Sequence, residues 1–577
     1  MLVYADRRSD LSAGEMLRTL KRRLKRNSAM TLSELRVLLV LVGQIEQGAL
    51  DADAEWTGDA HHLTALCARS FVDVSLSTKG SATGLSEIQA AVEQLEVAID
   101  AAPTPCSIRI PEGFAWYAVY PDAYIGAALE WASARPRRQR VLAIGLRSIG
   151  TTLAAVVAAT LRRRGCEVRV MTVRPHGHPF ARVVQIPPIA RQPDAAIVID
   201  EGPGLSGSSM AAVADALERR GVPARAISFF AAHRNGPGQQ ASMDVRRRWQ
   251  STATYTTELS ALRMGRETLV DAMASFHGAS DVVGVGLGGW LSMAGLAGTL
   301  PPAFAPRIEI PKLLARGASG STLWKFAGFT LIPSPGEGPI MTSAEAVETR
   351  LCSLGERGLT PKPNGSKEGW IAVPWIEGRR LTPQDGSPRV LGQVAAYIAE
   401  SCNPPLTRDA DASARRRLAD ILCRNSECLL GPRGCEAARP IGRMLARELH
   451  QTNMPAYGDG RMAPHEWIQT ADGRILKTDA AGHDFDHTVV GPQSILWDVA
   501  GMMVEWRLDH HQAAEVLACV KLSGCFETAL ACYRAAYAAF RAGVASLCGA
   551  ESNRDQAVAF YRGRLERELA VIGENTR

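Results

Sequence analysis

Residues 195–210 read AAIVIDEGPGLSGSSM, and the parsing of this stretch decides the fold. Apolar Ala196 to Ile199 are followed by two adjacent acids, Asp200 and Glu201. A loop of small residues, Gly202 to Ser209, comes next. A helical pattern then puts Met210, Val213, Ala214 and Leu217 on one face, with Gly221 as a stop. The stretch therefore reads as strand, loop and helix start. A glycine- and serine-rich loop in that place offers backbone N–H groups and hydroxyls to an anion at the positive end of a helix. Two carboxylates just ahead of it suit a pair of sugar hydroxyls or a magnesium ion. An anion cradle beside a diol clamp describes a ribose 5-phosphate site.

Outward from this stretch, strands and helices alternate over about 105–275, the signature of a parallel sheet. Arg140 to Ile144 reads as a buried strand, followed by a second loop with anion-binding chemistry, Gly145 to Thr152, and a helix from about Leu153 to Arg164. Val168 to Val173, Ile197 to Asp200 and Ala226 to Phe230 are further strands. Residues 174–182, RPHGHPFAR, read as a loop that offers Arg174, His176 and His178 to a ligand.

The motif at 197–209 resembles the PRPP-binding motif of type I phosphoribosyltransferases. By that resemblance Asp200 and Glu201 hold the ribose hydroxyls, acting as catalytic residues. Gly204, Ser206, Gly207, Ser208 and Ser209 cradle the 5-phosphate. The upstream loop stands where that family carries its pyrophosphate loop, which implies Arg147, Ser148 and Thr151 as pyrophosphate contacts. PRPP is the implied co-substrate. One residue more than usual separates Asp200 from Ser206, a change that a phosphate site survives more easily than transfer does.

A second constellation begins near 305. Thr322 to Phe329 reads as a strand with Lys325 among apolar residues, and a helical stretch follows from Ser343 to Gly358. A strand from Trp370 to Trp375 then ends at Glu377-Gly378. Further on come Tyr457-Gly458-Asp459, a strand ending at Lys477-Thr478-Asp479, and Trp497-Asp498-Val499-Ala500 at a helix start. This order resembles aminoglycoside-phosphotransferase-like kinases over roughly 305–550. The resemblance implies Asp459 as catalytic base, Asp479 as magnesium ligand, Lys325 as nucleotide-phosphate contact, Glu345 or Glu348 as the lysine's partner, and Asp498 as structural. The family's metal-binding asparagine is Pro464 here, with His465 or Glu466 as the substitute; Glu466 is an oxygen donor suited to magnesium. ATP and Mg2+ are the implied co-substrate and cofactor. Two glycine runs, Gly284 to Gly289 and Gly317 to Ser321, are candidates for the nucleotide-covering loop.

The 577 residues allow three to four domains, and four segments are expected. These are a mostly helical segment over 1–104, a phosphoribosyltransferase-like α/β domain over 105–275, a kinase-like N-lobe over 280–385 and a helical C-lobe over 386–577. The fold class is thus α/β plus α+β. A net charge of +6 over this length gives no argument for nucleic acid, and the basic run Lys21 to Arg26 reads as a solvated helix face. Twelve cysteines without a regular framework read as free thiols of a reducing cytoplasm. No apolar run approaches a membrane span. The N-terminal helices offer an oligomerisation element. The function expected is a bifunctional phosphate-handling enzyme acting on small molecules: ribose-phosphate binding or phosphoribosyl transfer, plus ATP-dependent phosphotransfer. The alternative is a regulatory or scaffold protein with degenerate nucleotide sites.

Overall fold

The computed structural model describes residues 1–4, 7–26, 30–77, 84–264, 267–285, 309–318, 320–332, 340–402, 408–447, 458–480, 482–483, 486–520, 526–548 and 553–575. Contacts divide the chain into two compact units. One holds Arg8–Gly278 with Gly328–Ile332, and the other holds Met1–Arg7, Ala279–Ala327 and Pro333–Arg577. The helices of the expected 1–104 segment and the strands of the expected α/β domain fall in the same unit.

The first unit begins with four helices, α1 (Ala13–Arg26), α2 (Leu32–Ala52), α3 (Thr57–Leu76) and α4 (Leu85–Ala101). Helix α2 starts on a capping box in which Thr31 and Glu34 satisfy each other's backbone N–H. Five parallel strands follow: β1 (Arg140–Leu146), β2 (Glu167–Val173), β3 (Ala195–Ile199), β4 (Ile227–Phe230) and β5 (Ala253–Tyr255). Their spatial order is β2-β1-β3-β4-β5. All five residues of β3 are buried, which explains its unbroken apolar run. Helix α5 (Ile149–Arg163) follows β1 and helix α6 (Ser208–Arg219) follows β3. Leu142, Ile144, Val198 and Phe229 of the sheet share a core with Met210, Val213 and Leu217 of α6. Each such side chain contributes about 1.5–3 kcal/mol by leaving water.

Helices α2 and α3 pack on α5. The approach of α2 is close: a Cβ at Gly43 would lie 1.9 Å from Thr152 Oγ1. Between β2 and β3 the segment expected as a loop is a short hairpin, His176–His178 against Ala181–Val183. The second anion loop is also shorter than expected. Helix α5 begins at Ile149, so only Arg147 and Ser148 separate strand from helix, and Thr151 and Thr152 are helical. Glycines permit this turn: a Cβ at Gly145 would sit 2.0 Å from the Gly150 carbonyl oxygen.

In the second unit an antiparallel sheet comprises β6 (Ala279–Gly284), β7 (Lys312–Gly317), β8 (Gly320–Phe326), β9 (Gly365–Lys367) and β10 (Trp370–Pro374). The order is β6-β7-β8-β10-β9. Helix α7 (Ser343–Glu356) lies in sequence between β8 and β9. A helical part follows, including α8 (Pro388–Ser401) and α9 (Ile495–Glu505), with a small antiparallel sheet of β11 (Arg379–Arg380), β12 (Trp467–Gln469) and β13 (Ile475–Lys477). Trp467, Trp497, Tyr397 and Tyr537 lie in its core. The first residues of the chain join this unit: Val489 N donates to the Val3 carbonyl at 2.7 Å, Tyr4 bridges to Thr488, and Arg7 donates to the Thr488 carbonyl. No local pattern in residues 1–7 marks this attachment. Among the described residues no helix is long and apolar enough to cross a membrane, and the described cysteines are free thiols.

Candidate functional site

Two constellations of polar side chains stand out, one in each unit. In the antiparallel unit, Lys325 lies on the third strand of its sheet, β8, with β7 and β10 on either side. Its ammonium pairs with Asp479 Oδ1 at 2.6 Å. Asp479 follows β13 directly. The other Asp479 oxygen is 3.6 Å from His483 Nε2. The opposite ring nitrogen of His483, Nδ1, is 2.5 Å from Asp459 Oδ1. Asp459 Oδ2 accepts from the Tyr397 hydroxyl at 2.6 Å and pairs with Lys477 Nζ at 3.0 Å. A chain of contacts therefore runs Lys325, Asp479, His483, Asp459.

Asp459 has no exposed surface. Burial opposes its charge, yet Lys477 and His483 and the bonds from His483 and Tyr397 hold its carboxyl far below the usual range. Asp479 is likewise held well below the ordinary value, with Lys325, His483 and Lys312 outweighing burial. Asp498 braces the loop from beneath: its carboxylate accepts from Asp459 N at 2.9 Å and Gly460 N at 2.7 Å. Burial and the charge of Asp459 push the Asp498 carboxyl up to about 6. Gly458 is needed here, since a Cβ would meet Asp498 Oδ2 at 2.5 Å.

Two expected partnerships differ in the structure. Lys325 pairs with Asp479 rather than with Glu345 or Glu348. Glu345 closes the capping box of α7 with Thr342, because as its third residue it can reach the orphan N–H. Glu348 accepts from the Ser366 hydroxyl. Glu466 is held by Lys477 at 2.8 Å, so the ammonium already occupies a carboxylate expected to face a metal. Lys477 is wholly buried and also donates to the Asp479 carbonyl. Burial works against its charge, but Asp459, Glu466 and Asp479 hold the ammonium above its ordinary range. Sequence reading missed Lys477 and Tyr397. The available signal was a lysine directly after apolar Ile475 and Leu476 on a strand. Gly284 ends β6, while 286–289, Ser319 and Tyr457 lie outside the described residues.

Among the described residues no group of three or more His, Cys, Asp or Glu is placed to hold a metal ion. Magnesium bound with nucleotide phosphates needs only one or two protein carboxylates. Asp479, an ionised oxygen donor with 30% of its side chain exposed, fits that role; Glu466, engaged by Lys477, does not in this arrangement.

In the parallel-sheet unit, the loops after β1 and β3 lie side by side, because these strands pair with Ile144 against Val198 and Gly145 against Ile199. Chain order reverses here: β2 lies on the far side of β1, and β4 and β5 lie beyond β3. Open α/β sheets collect ligands at the carboxyl ends of strands at such a reversal. Helices α5 and α6 both begin here without a side-chain cap and without an acid in the first turn. The Oγ atoms of Ser148 and Thr151 are buried without a hydrogen-bond partner.

Asp200 and Glu201 are joined by a residue the sequence did not mark, Glu112, in a short helical turn over Glu112–Ala115. Glu201 Oε2 accepts from Gly113 N at 2.6 Å, and the Tyr124 hydroxyl donates to the Asp200 carbonyl at 2.7 Å. No ion pair is made by any of the three carboxylates among the described residues. Burial, with Glu112 nearby, pushes the Asp200 carboxyl up to about 7 against one backbone hydrogen bond. Glu201 rises well above its ordinary value through burial and the charges of Glu112 and Asp200. In the loop after β3, Gly204 and Gly207 take left-handed backbone angles. Ser208 Oγ donates to the Pro179 carbonyl at 2.6 Å and lies 3.2 Å from Ser206 Oγ. Ser209 is the second residue of α6. Arg147 and Arg174 both bind Asp51 of α2.

No protein-family model and no curated protein matches the sequence. Among solved structures, choline kinase LicA from Streptococcus pneumoniae is 13% identical with a TM-score of 0.36, covering 52% of this chain and 97% of its own. Macrolide 2'-phosphotransferase MphH from Brachybacterium faecium is 15% identical with a TM-score of 0.30, covering 52% and 97%. An aminoglycoside-3'-phosphotransferase of type VIII is 17% identical with a TM-score of 0.26, covering 40% and 88%.

Proposed function

We propose that the antiparallel unit transfers a phosphoryl group from ATP to a hydroxyl of a small molecule. The observation that carries this is the chain Lys325–Asp479–His483–Asp459, with a lysine on the third strand, an acid after a later strand, and a buried acid braced by Asp498. Catalysis of this transfer is largely positioning and neutralisation of charge. Lys325 leaves Asp479 to take phosphate oxygens. Asp479 holds magnesium, which supplies further neutralisation when bound. Asp459 serves as base together with His483: Nδ1–H of His483 faces Asp459, and the acceptor's proton is taken at Nε2, with the Asp459 charge stabilising the imidazolium. Lys477 and Tyr397 keep Asp459 ionised and fixed. The test is ATP turnover across candidate hydroxyl acceptors: Asp479→Ala is expected to abolish it. ATP binding without turnover on any acceptor would favour the regulatory reading, to which the sealed position of Asp459 also speaks.

A second reading belongs to the parallel-sheet unit, favoured by two anion-type loops at the reversal of strand order. There the unit binds a ribose 5-phosphate, PRPP in its fullest form. Asp200 and Glu201 accept from the ribose hydroxyls, Gly204 to Ser209 surround the 5-phosphate, and Arg147, Ser148 and Thr151 face a pyrophosphate. Uncompensated carboxylates support this reading, since hydroxyl donors relieve them without a cation. Ribose 5-phosphate and PRPP are expected to raise the melting temperature, and Asp200→Ala with Glu201→Ala to abolish the shift. Wild-type protein that ignores both ligands would overturn the assignment.

A further inference from the structure

The arginines at the edge of the parallel sheet already hold an anion, and it comes from the chain itself. Arg147 follows β1 and Arg174 follows β2, and these strands pair in register up to Leu146 and Val173. Both guanidinium groups converge on the carboxylate of Asp51, near the end of α2. Arg147 Nη1 is 3.1 Å from Oδ1; Arg174 donates through Nε to the same oxygen at 3.2 Å and through Nη2 to Oδ2. The Arg174 contact is a fork on both carboxylate oxygens, the geometry in which arginine also grips phosphate. Arg174 Nη1 donates to the Arg147 carbonyl at 2.8 Å, which ties the two arginines together.

Asp51 is an unexpected residue in this place. It lies in the last turn of α2, where the helix dipole disfavours a negative charge, and that turn carries no basic residue. Something outside the helix must offset the charge, and the two arginines do. The surroundings stay positive: Arg109 lies close enough to Arg174 and Arg182 to feel both as like charges. Beside the cluster, the Ser148 and Thr151 hydroxyls are buried without hydrogen-bond partners. The side chains of Asp51, Arg147 and Arg174 keep 20%, 22% and 25% of their surface exposed, so solvent and ligands reach the pair.

We propose that Asp51 is a built-in competitor for an inorganic or ester-linked pyrophosphate, which enters by taking Arg147 and Arg174 from it. The inference rests on the ribose-phosphate reading of the same sheet edge and adds how that site is regulated. Ligand entry releases the last turn of α2, and movement of α2 in turn sets how many arginine donors a pyrophosphate can find.

The test uses the full-length protein and titration calorimetry with inorganic pyrophosphate and, separately, ribose 5-phosphate. Asp51→Asn is expected to bind pyrophosphate about fivefold tighter, the worth of a partly exposed ion pair, with ribose 5-phosphate affinity unchanged. Asp53→Asn, which removes the same charge two residues away, is expected to give no gain. In unmodified protein, pyrophosphate should speed amide exchange over 47–53, a measurement that needs no variant. Unchanged or weaker pyrophosphate binding in Asp51→Asn, an equal gain in Asp53→Asn, or slower exchange over 47–53 would each overturn the proposal. Wild-type protein that binds ribose 5-phosphate but not pyrophosphate overturns it too and leaves the ribose-phosphate reading standing. Failure to bind either ligand removes both.

Discussion

Asp459 and Asp200 are both acids at the heart of a candidate site, and their surroundings treat them in opposite ways. Asp459 is sealed from solvent and surrounded by donors: Lys477, His483 and Tyr397. Its carboxyl stays ionised. Asp200 has Glu112 and Glu201 for neighbours and no cation, and its carboxyl is pushed up to about 7. The first acid is stabilised by the protein alone. The second is left in deficit, and a ligand with hydroxyl donors is what would relieve it. Burial raises both carboxyls; the sign of the net shift is decided by which charges stand beside them.

The comparison breaks hardest at Asp459. Asp459→Asn keeps the shape and removes the charge, and ATP turnover is expected to fall about 10²–10⁴-fold in an initial-rate assay, with nucleotide affinity little changed. An unaffected rate would remove Asp459 from the chemistry. Next is Lys477→Met, which leaves Asp459 and Glu466 buried without their cation. A loss of about 3–5 kcal/mol is expected for the antiparallel unit in chemical denaturation. A loss below about 1 kcal/mol, the range of exposed pairs, would mean that water already reaches Lys477.

The smaller effects lie on the other side. Asp200→Asn with Glu201→Gln removes charges that have no cation beside them, so the ligand-free parallel-sheet unit is expected to gain about 1 kcal/mol at pH 8 while losing its response to ribose 5-phosphate. A loss of stability instead would show that the carboxylates are held by something other than a ligand. The same variant sharpens the pH contrast. A carboxyl raised from 3.8 to about 7 contributes stability at acidic pH that fades as pH rises through that window. Wild type should therefore lose melting temperature relative to the double variant between about pH 4 and pH 7. Asp459 runs the other way, since its lowered carboxyl contributes stability above about pH 4 that is lost only in acid. Parallel pH profiles for wild type and variant would end the contrast.

Much of this was legible in local pattern. The run from Ala195 to Met210 announced strand, loop and helix, and the structure has β3, the loop and α6 there. Lys325 and Asp479 were singled out as residue types ending or interrupting apolar runs, and the structure pairs them across 154 positions. What stayed hidden was contributed from a distance. Glu112 sits in a short turn next to Gly113, which is 88 positions before Glu201, with nothing periodic to mark it. Asp51 reads as an ordinary polar helix end until α2 is seen crossing α5 at Gly43. Glu345 illustrates the converse: a helix-start pattern, Thr342 with Glu345 three residues on, was open to view and competes with the phosphate-site role for the same carboxylate.

The attachment of Met1–Arg7 to the antiparallel unit bears on synthesis. Arg7 and its partner Thr488 are 481 positions apart. At ribosomal speeds of roughly 5–20 residues per second, the opening residues wait roughly half a minute to a minute and a half for the chain that receives them. The parallel-sheet unit is translated whole in that interval and can fold with both its flanks still unclaimed. Closure of the antiparallel unit over its own first residues is then a late event of assembly, and a nascent chain halted before Thr488 would present a complete parallel-sheet unit with Arg7 still lacking its acceptor.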